Sequence, residues 1–179
     1  RIFSGKGVIV VQWIQTYTGR QFFPLDPRED DLDIEDIAHS LSRQCRFNGH
    51  CRDFYSVAEH AVRVSRAVSE NHALWGLLHD AGEAYLTDLP RPIKDQIGIY
   101  RDLENQLLKV VARRYGLRWP IPVEVDVADT ALLITEARDL LVAPPVPWGL
   151  EAEPLEEVIV PWSMDEAKSV FLARFEELI

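Results

Sequence analysis

Cysteine, positive charge and long apolar runs are what this chain of 179 residues has least of, and each shortage excludes a class of protein. Two cysteines, Cys45 and Cys51, cannot staple a chain of this size into a disulfide scaffold. Buried or half-buried free thiols fit their spacing better than a two-thiolate metal site, because no second Cys pair lies nearby. The longest apolar stretch near the start, Val8 to Val11 continuing to Trp13 and Ile14, is broken by Gln12 and is far shorter than the roughly 20 residues of a membrane span. Lys and Arg number 19 against 29 Asp and Glu, a formal net charge of −10. That is the wrong sign for a protein that coats a nucleic-acid duplex or an anionic lipid surface. The expectation is a cytoplasmic chain without a membrane anchor, in which any phosphate is held by a few placed cations.

Hydrophobic residues make up 47% and charged residues 27%, ordinary usage for one compact domain with its own core. The chain starts on Arg1 rather than methionine, so a trimmed or appended first segment is expected. Residues 1–25 read as an N-terminal extension with a short β-hairpin: Val8 to Val11, Trp13 to Tyr17 and Gln21 to Phe23 are β-prone, with breaks at Gly7 and Thr18-Gly19. Residues 26–179 read as the main domain. Pro24 to Asp33 is proline-rich and acidic, hence a loop.

Helical spacing dominates from there. Ile34, Ile37, Ala38 and Leu41 mark a first helix to about Ser42, with acidic residues at its positive end. Ser56 and Glu59 form a capping box for a second helix that turns Val57, Ala61, Val64 and Val68 inward. Leu74, Leu77, Leu78 and Ala81 announce a third, the most apolar and so the expected centre of the fold, read through Glu83. Pro90 and Pro92 make Thr87 to Lys94 a defined loop. Leu103, Leu107, Val110 and Val111 give a fourth helix ending at Tyr115-Gly116, and Pro122 opens a fifth to about Leu141. The prolines from Pro144 to Pro154 make 144–162 a connection, and a capping box at Ser163 and Glu166 opens a last helix.

Polar residues embedded in the greasiest helices carry the chemistry. His79 and Asp80 stand side by side in the third helix, with Glu83 one turn on; His60 and Asp129 are lone polar residues on the second and fifth. Any one of them alone reads as a satisfied core or cap residue. Together His60, His79, Asp80 and Asp129 describe two imidazoles and two carboxylates converging from three helices, an N2O2 set for a divalent cation, since buried carboxylates without partners cost several kcal/mol. Zn, Co, Mn, Fe and Ni all accept such ligands.

The pattern His60, His79-Asp80, Asp129 resembles the H…HD…D signature of the HD-domain metal-dependent phosphohydrolases. The runs Tyr55 to His60, His79 to Ala84 and Thr87 to Lys94 are similar to those of small bacterial 5′-deoxynucleotidases. They are also similar to small viral and prophage HD proteins, some of them deoxynucleoside triphosphate triphosphohydrolases, and Cys45 to His50 looks typical of the prophage type. The resemblance implies an all-α HD-domain helical bundle with one divalent transition metal on His60, His79, Asp80 and Asp129. It further implies Glu83 and Asp88 as acid/base and water-positioning carboxylates, Arg46 as the phosphate arginine, and a tendency to homo-oligomerise.

Elementary chemistry agrees with those roles. A divalent ion activates water and polarises a phosphoryl oxygen, Glu83 is within reach to orient that water, Asp88 can protonate the leaving oxygen, and Arg46 with Lys94 offsets phosphate charge. Phe47 and His50, beside Arg46, are candidate pocket residues for the rest of a small nucleotide; His39 and His72 read as surface or structural. The followers of Arg46, Phe-Asn-Gly, differ from those of the nucleotidases, and the interval from Asp80 to Asp129 is shorter, leaving Asp126 as a rival ligand. The expected activity is hydrolysis of the 5′-phosphate ester of a 2′-deoxynucleotide, as monophosphate or triphosphate. The alternatives are a nucleotide-binding regulatory module and a hydrolase of cyclic or signalling nucleotides.

Overall fold

The computed structural model describes residues 12–179; Gly7 and the β-prone run Val8 to Val11 lie outside the described residues. Strands β1 (Ile14–Gln15) and β2 (Gln21–Phe22) pair antiparallel, Ile14 opposite Phe22, around a turn where Gly19 takes a φ of 84°. Only glycine adopts that conformation without a steric penalty. The hairpin is tied to helix α1 (Ile34–Leu41) by the buried Asp36, whose carboxylate accepts from the Thr18 amide at 2.7 Å and the Thr18 hydroxyl at 2.9 Å.

Helices α2 (Val57–Ala67), α3 (Glu70–Leu78), α6 (Gly98–Arg114), α7 (Val123–Leu140) and α8 (Met164–Leu178) build the body, with two short helical turns, α4 (Glu83–Leu86) and α5 (Arg91–Lys94), between α3 and α6. The fold is therefore mostly helical with a small hairpin near the N-terminus, as expected. No helix among the described residues is long and apolar enough to cross a membrane.

Five details differ from the sequence expectation. The centre is α2 rather than α3: every residue from Val57 to Ser65 is buried, and α2 packs against α3, α7 and α8. Its polar residues hid this, because periodicity scores Glu59 and Arg63 as solvent-facing when each is in fact partnered inside. The capping box is half of what was expected. Ser56 does accept from the Glu59 amide at 3.1 Å, but the Glu59 carboxylate turns inward to Arg63 and to the Trp162 amide.

The third helix does not run through Glu83. It ends at Leu78, and i,i+3 bonds from the Ala81 amide to Leu78 and the Glu83 amide to Asp80 make a tighter turn that starts α4. Lastly, Arg91–Lys94 is helical although it holds Pro92, because a first-turn proline gives up no intrahelical bond; a 3-10 turn, Glu29–Asp31, likewise interrupts the acidic loop.

A tight contact between α2 and α3 positions the two histidine-bearing segments. Gly76 of α3 lies against α2 so tightly that a Cβ there would stand 2.8 Å from Ser65 Cα and 3.0 Å from Ser65 N. Backbone cannot retreat as a flexible side chain can, so Gly76→Ala is expected to lower stability by about 1–3 kcal/mol, read from urea unfolding. An unchanged midpoint would mean that α2 and α3 can part without cost.

Candidate metal centre

His60 projects from the middle of α2, His79 follows the last residue of α3, and Asp129 stands nearly two turns into α7; their ligand atoms all lie within 4.8 Å of one another. The His60 and His79 Nε2 atoms are 3.3 Å apart, and Asp129 Oδ1 is 3.1 Å from His60 Nε2. Asp80 borders the same space, with Oδ2 3.3 Å from His79 Nε2 and 3.7 Å from His60 Nε2. The rival Asp126 is exposed and outside the cluster.

Outer contacts fix which nitrogen of each ring faces inward. His79 Nδ1 meets the Gly76 carbonyl at 2.8 Å, and His60 Nδ1 meets Glu136 Oε1 at 2.7 Å. A carbonyl and a carboxylate only accept, so both Nδ1 atoms carry the protons and both Nε2 lone pairs point at each other. Two lone pairs and two carboxylate oxygens converging on one point repel unless something positive sits between them.

The charges agree. Burial would raise Asp80, Asp129 and Glu136, but it is outweighed: His79 and His60 hold Asp80 well below the carboxylate range, His60 holds Asp129 down to about 2, and Arg46 with His60 lowers Glu136. Three carboxylates against the one guanidinium of Arg46 leave two negative charges when the imidazoles are neutral. Without a metal, protons fill that gap. Burial and Arg46 press His60 down, yet Glu136 and Asp129 lift it to about 9; His79 is raised by Asp80 against burial. One divalent cation would do the same with the imidazoles neutral, so the donor set fits one in chemistry and in charge.

Glu136 is the residue that sequence reading missed. It is fully buried, and besides His60 it accepts from Arg46 Nε at 3.1 Å and Nη2 at 2.9 Å. Its signal was its register: Val125, Asp129, Leu132 and Glu136 fall on one stripe of α7, so Glu136 stands two turns beyond Asp129 on the face already inferred.

The remaining expected residues divide. Arg46 sits at the site, with Nη1 3.9 Å from Asp80. Glu83 is buried, with Lys94 Nζ 3.3 Å from Oε1 while Oε2 has no hydrogen-bond partner among the described residues. Burial, with Asp80 and Asp88 adding like charge, pushes Glu83 well above the usual range, and burial raises Asp88 too. Thr87, at a φ of 71°, precedes Asp88, whose amide donates to Gln44 Oε1 at 3.1 Å. The Lys94 ammonium lies between Glu83 and Glu104, the latter at 2.7 Å, so carboxylates already occupy it. Phe47 is half-buried with the Arg46 guanidinium 5.5 Å from its ring centre, whereas His50 is exposed. His39 stacks on Tyr17, and His72 bonds Glu124, both away from the cluster. A groove of about 870 Å³ between α7 and the proline-rich connection, lined by Leu141 and Trp148 among others, takes in none of the cluster residues.

The chain is 39% identical over 171 residues to the uncharacterized protein YfdR of Escherichia coli (strain K12), a match covering 94% of this chain and 96% of that protein. It is 37% identical over 142 residues to an uncharacterized protein of Rhodobacter capsulatus, RCAP_rcc00048, covering 72% of each. No protein-family model matches.

Glu136 generates a prediction that needs no substrate. Partners that orient a ligating histidine are typically worth about 10–100-fold in metal affinity, so Glu136→Gln should weaken Co or Zn binding by that factor in competition with a chromophoric chelator. Circular dichroism on the same samples checks that the helices persist; wild-type affinity in a folded variant would remove Glu136 from the centre.

Proposed function

We propose that this chain, which belongs to the same family as YfdR, is an HD-type phosphohydrolase that cleaves the 5′-phosphate ester of a small nucleotide, with a 2′-deoxynucleotide as the expected substrate. The observation that carries the reading is the inward convergence of two bare imidazole nitrogens with Asp129 and Asp80, beside a buried glutamate with one oxygen unpartnered among the described residues.

A divalent cation, when bound, supplies Lewis acidity toward water and phosphoryl oxygen. His60, His79 and Asp129 would hold it, with Asp80 at the margin. Glu83 takes the proton of the attacking water on Oε2, and burial beside Asp80 and Asp88 makes it a stronger base than an ordinary carboxylate. Lys94 steadies the other oxygen and so acts on Glu83 rather than on phosphate. Asp88, also raised by burial, donates a proton to the departing ribose oxygen. Arg46 faces the phosphoryl group as a fixed cation held in plane by Glu136. With Lys94 occupied, little positive charge is left for a triphosphate tail, which favours the monophosphate.

The test is a panel of deoxynucleoside mono- and triphosphates and cyclic nucleotides, each with Co, Mn or Zn, in which phosphate, pyrophosphate and triphosphate are resolved. Phosphate release from monophosphates is expected. Cleavage restricted to cyclic nucleotides would move the substrate class, and no release from a metal-loaded chain would make it a binding module. Among variants, His79→Ala and Asp80→Ala should lose metal and turnover together. Glu83→Ala should keep its metal by elemental analysis and lose about 10²–10⁴-fold in rate; loss of metal there would instead make Glu83 a structural support.

A further inference from the structure

The turn that presents Arg46 begins and ends at the two cysteines. Cys45 and Cys51 are both partly exposed free thiols with their sulfur atoms 3.5 Å apart. The fold holds the two ends separately: Cys45 bridges to Ser56 and the Arg46 amide donates to Tyr55 at 2.9 Å, while the Arg52 amide donates to Leu140 at 2.9 Å. Between them the chain doubles back through three successive residues at positive φ, Phe47 at 55°, Asn48 at 51° and Gly49 at 76°. Two of these lack the freedom of glycine, so the turn is conformationally strained. The Cys51 thiol also donates to the Arg46 carbonyl at 3.6 Å.

We propose that Cys45 and Cys51 form a reversible dithiol–disulfide site, oxidised by a low-molecular-weight disulfide, whose state sets the stiffness of the Arg46 turn. A disulfide needs the sulfur atoms about 2.05 Å apart, so closure from 3.5 Å asks for a movement of about 1.5 Å. The Cys51 proton is engaged by the Arg46 carbonyl, so Cys45 attacks first. Its thiolate displaces one glutathione thiolate from oxidised glutathione and forms a mixed disulfide. Cys51, deprotonated, then attacks the Cys45 sulfur and displaces the second glutathione thiolate. Two protein thiols are oxidised, one small disulfide is reduced, and both protons end on glutathione. Closure removes the thiol donor from the Arg46 carbonyl and ties the ends of the turn covalently, which limits its excursions.

The test uses the full chain without substrate, incubated over a series of reduced-to-oxidised glutathione ratios, native and in urea, then trapped by alkylation and weighed intact. The native chain should lose both thiols together, at a ratio at least tenfold more reducing than the urea-unfolded chain requires. Backbone amides from Arg46 to Arg52 should exchange more slowly in the disulfide form, and Cys45→Ser or Cys51→Ser should stop at a single mixed disulfide. Closure at the same ratio with and without urea, persistent mixed disulfides on the native wild type, or unchanged exchange in the turn would each overturn the proposal. None of these readouts depends on whether the chain hydrolyses a nucleotide.

Discussion

The negative charge gathered at one point inside the helices is the constraint on which the site depends. Asp80, Asp129 and Glu136 are all held ionised in surroundings that disfavour charge, with one guanidinium among them. Uncompensated carboxylates in such a place cost several kcal/mol. The cluster therefore persists only with protons on its histidines or with a cation between them. This makes the arrangement a binding site in the thermodynamic sense: whichever positive species occupies it is bound with the energy that the fold spent in bringing the anions together.

Glu136 links that centre to the Arg46 turn. One oxygen takes the His60 proton and the other takes two guanidinium protons, so the orientation of a metal-facing ring and the direction of the guanidinium beside Asp80 are set by the same buried group. A neutral amide in its place could satisfy one neighbour and would oppose the other, because Arg46 needs an acceptor while the His60 Nδ1 proton needs one too. The acidic character of the position follows from having two donors to satisfy.

Much of this was legible in the sequence, for physical reasons. Lone polar residues such as His60 and Asp129 stand out in apolar stretches, because an interior tolerates them only with partners, and the capping serines Ser56 and Ser163 mark helix starts through a local bond. What was missed depended on three-dimensional partners. Glu136 shares the Asp129 stripe of α7, but its partner Arg46 lies ninety positions earlier, a separation that helix periodicity does not bridge. The two carboxylates that meet Lys94 were not legible, because its spacing from Glu83 and Glu104 gives no hint that both reach it. The break after Leu78 was invisible because residues there keep helical angles while switching to i,i+3 bonds, which periodicity does not register.

The same reasoning explains why α2, and not the more apolar α3, lies at the centre. A central helix must satisfy neighbours on every side, and here the neighbours differ. Val57, Ala61 and Val64 meet apolar side chains, whereas Glu59 ties Arg63 and the Trp162 amide ahead of α8, and His60 reaches α7 through Glu136. An all-apolar helix could pack in several registers, since one aliphatic surface slides over another at modest cost. Directional bonds to α7 and to the segment before α8, with the tight Gly76 contact to α3, admit one. The polar residues that carry the chemistry thus also fix the register of the helix on which they sit, so loosening the site and loosening the fold draw on the same contacts.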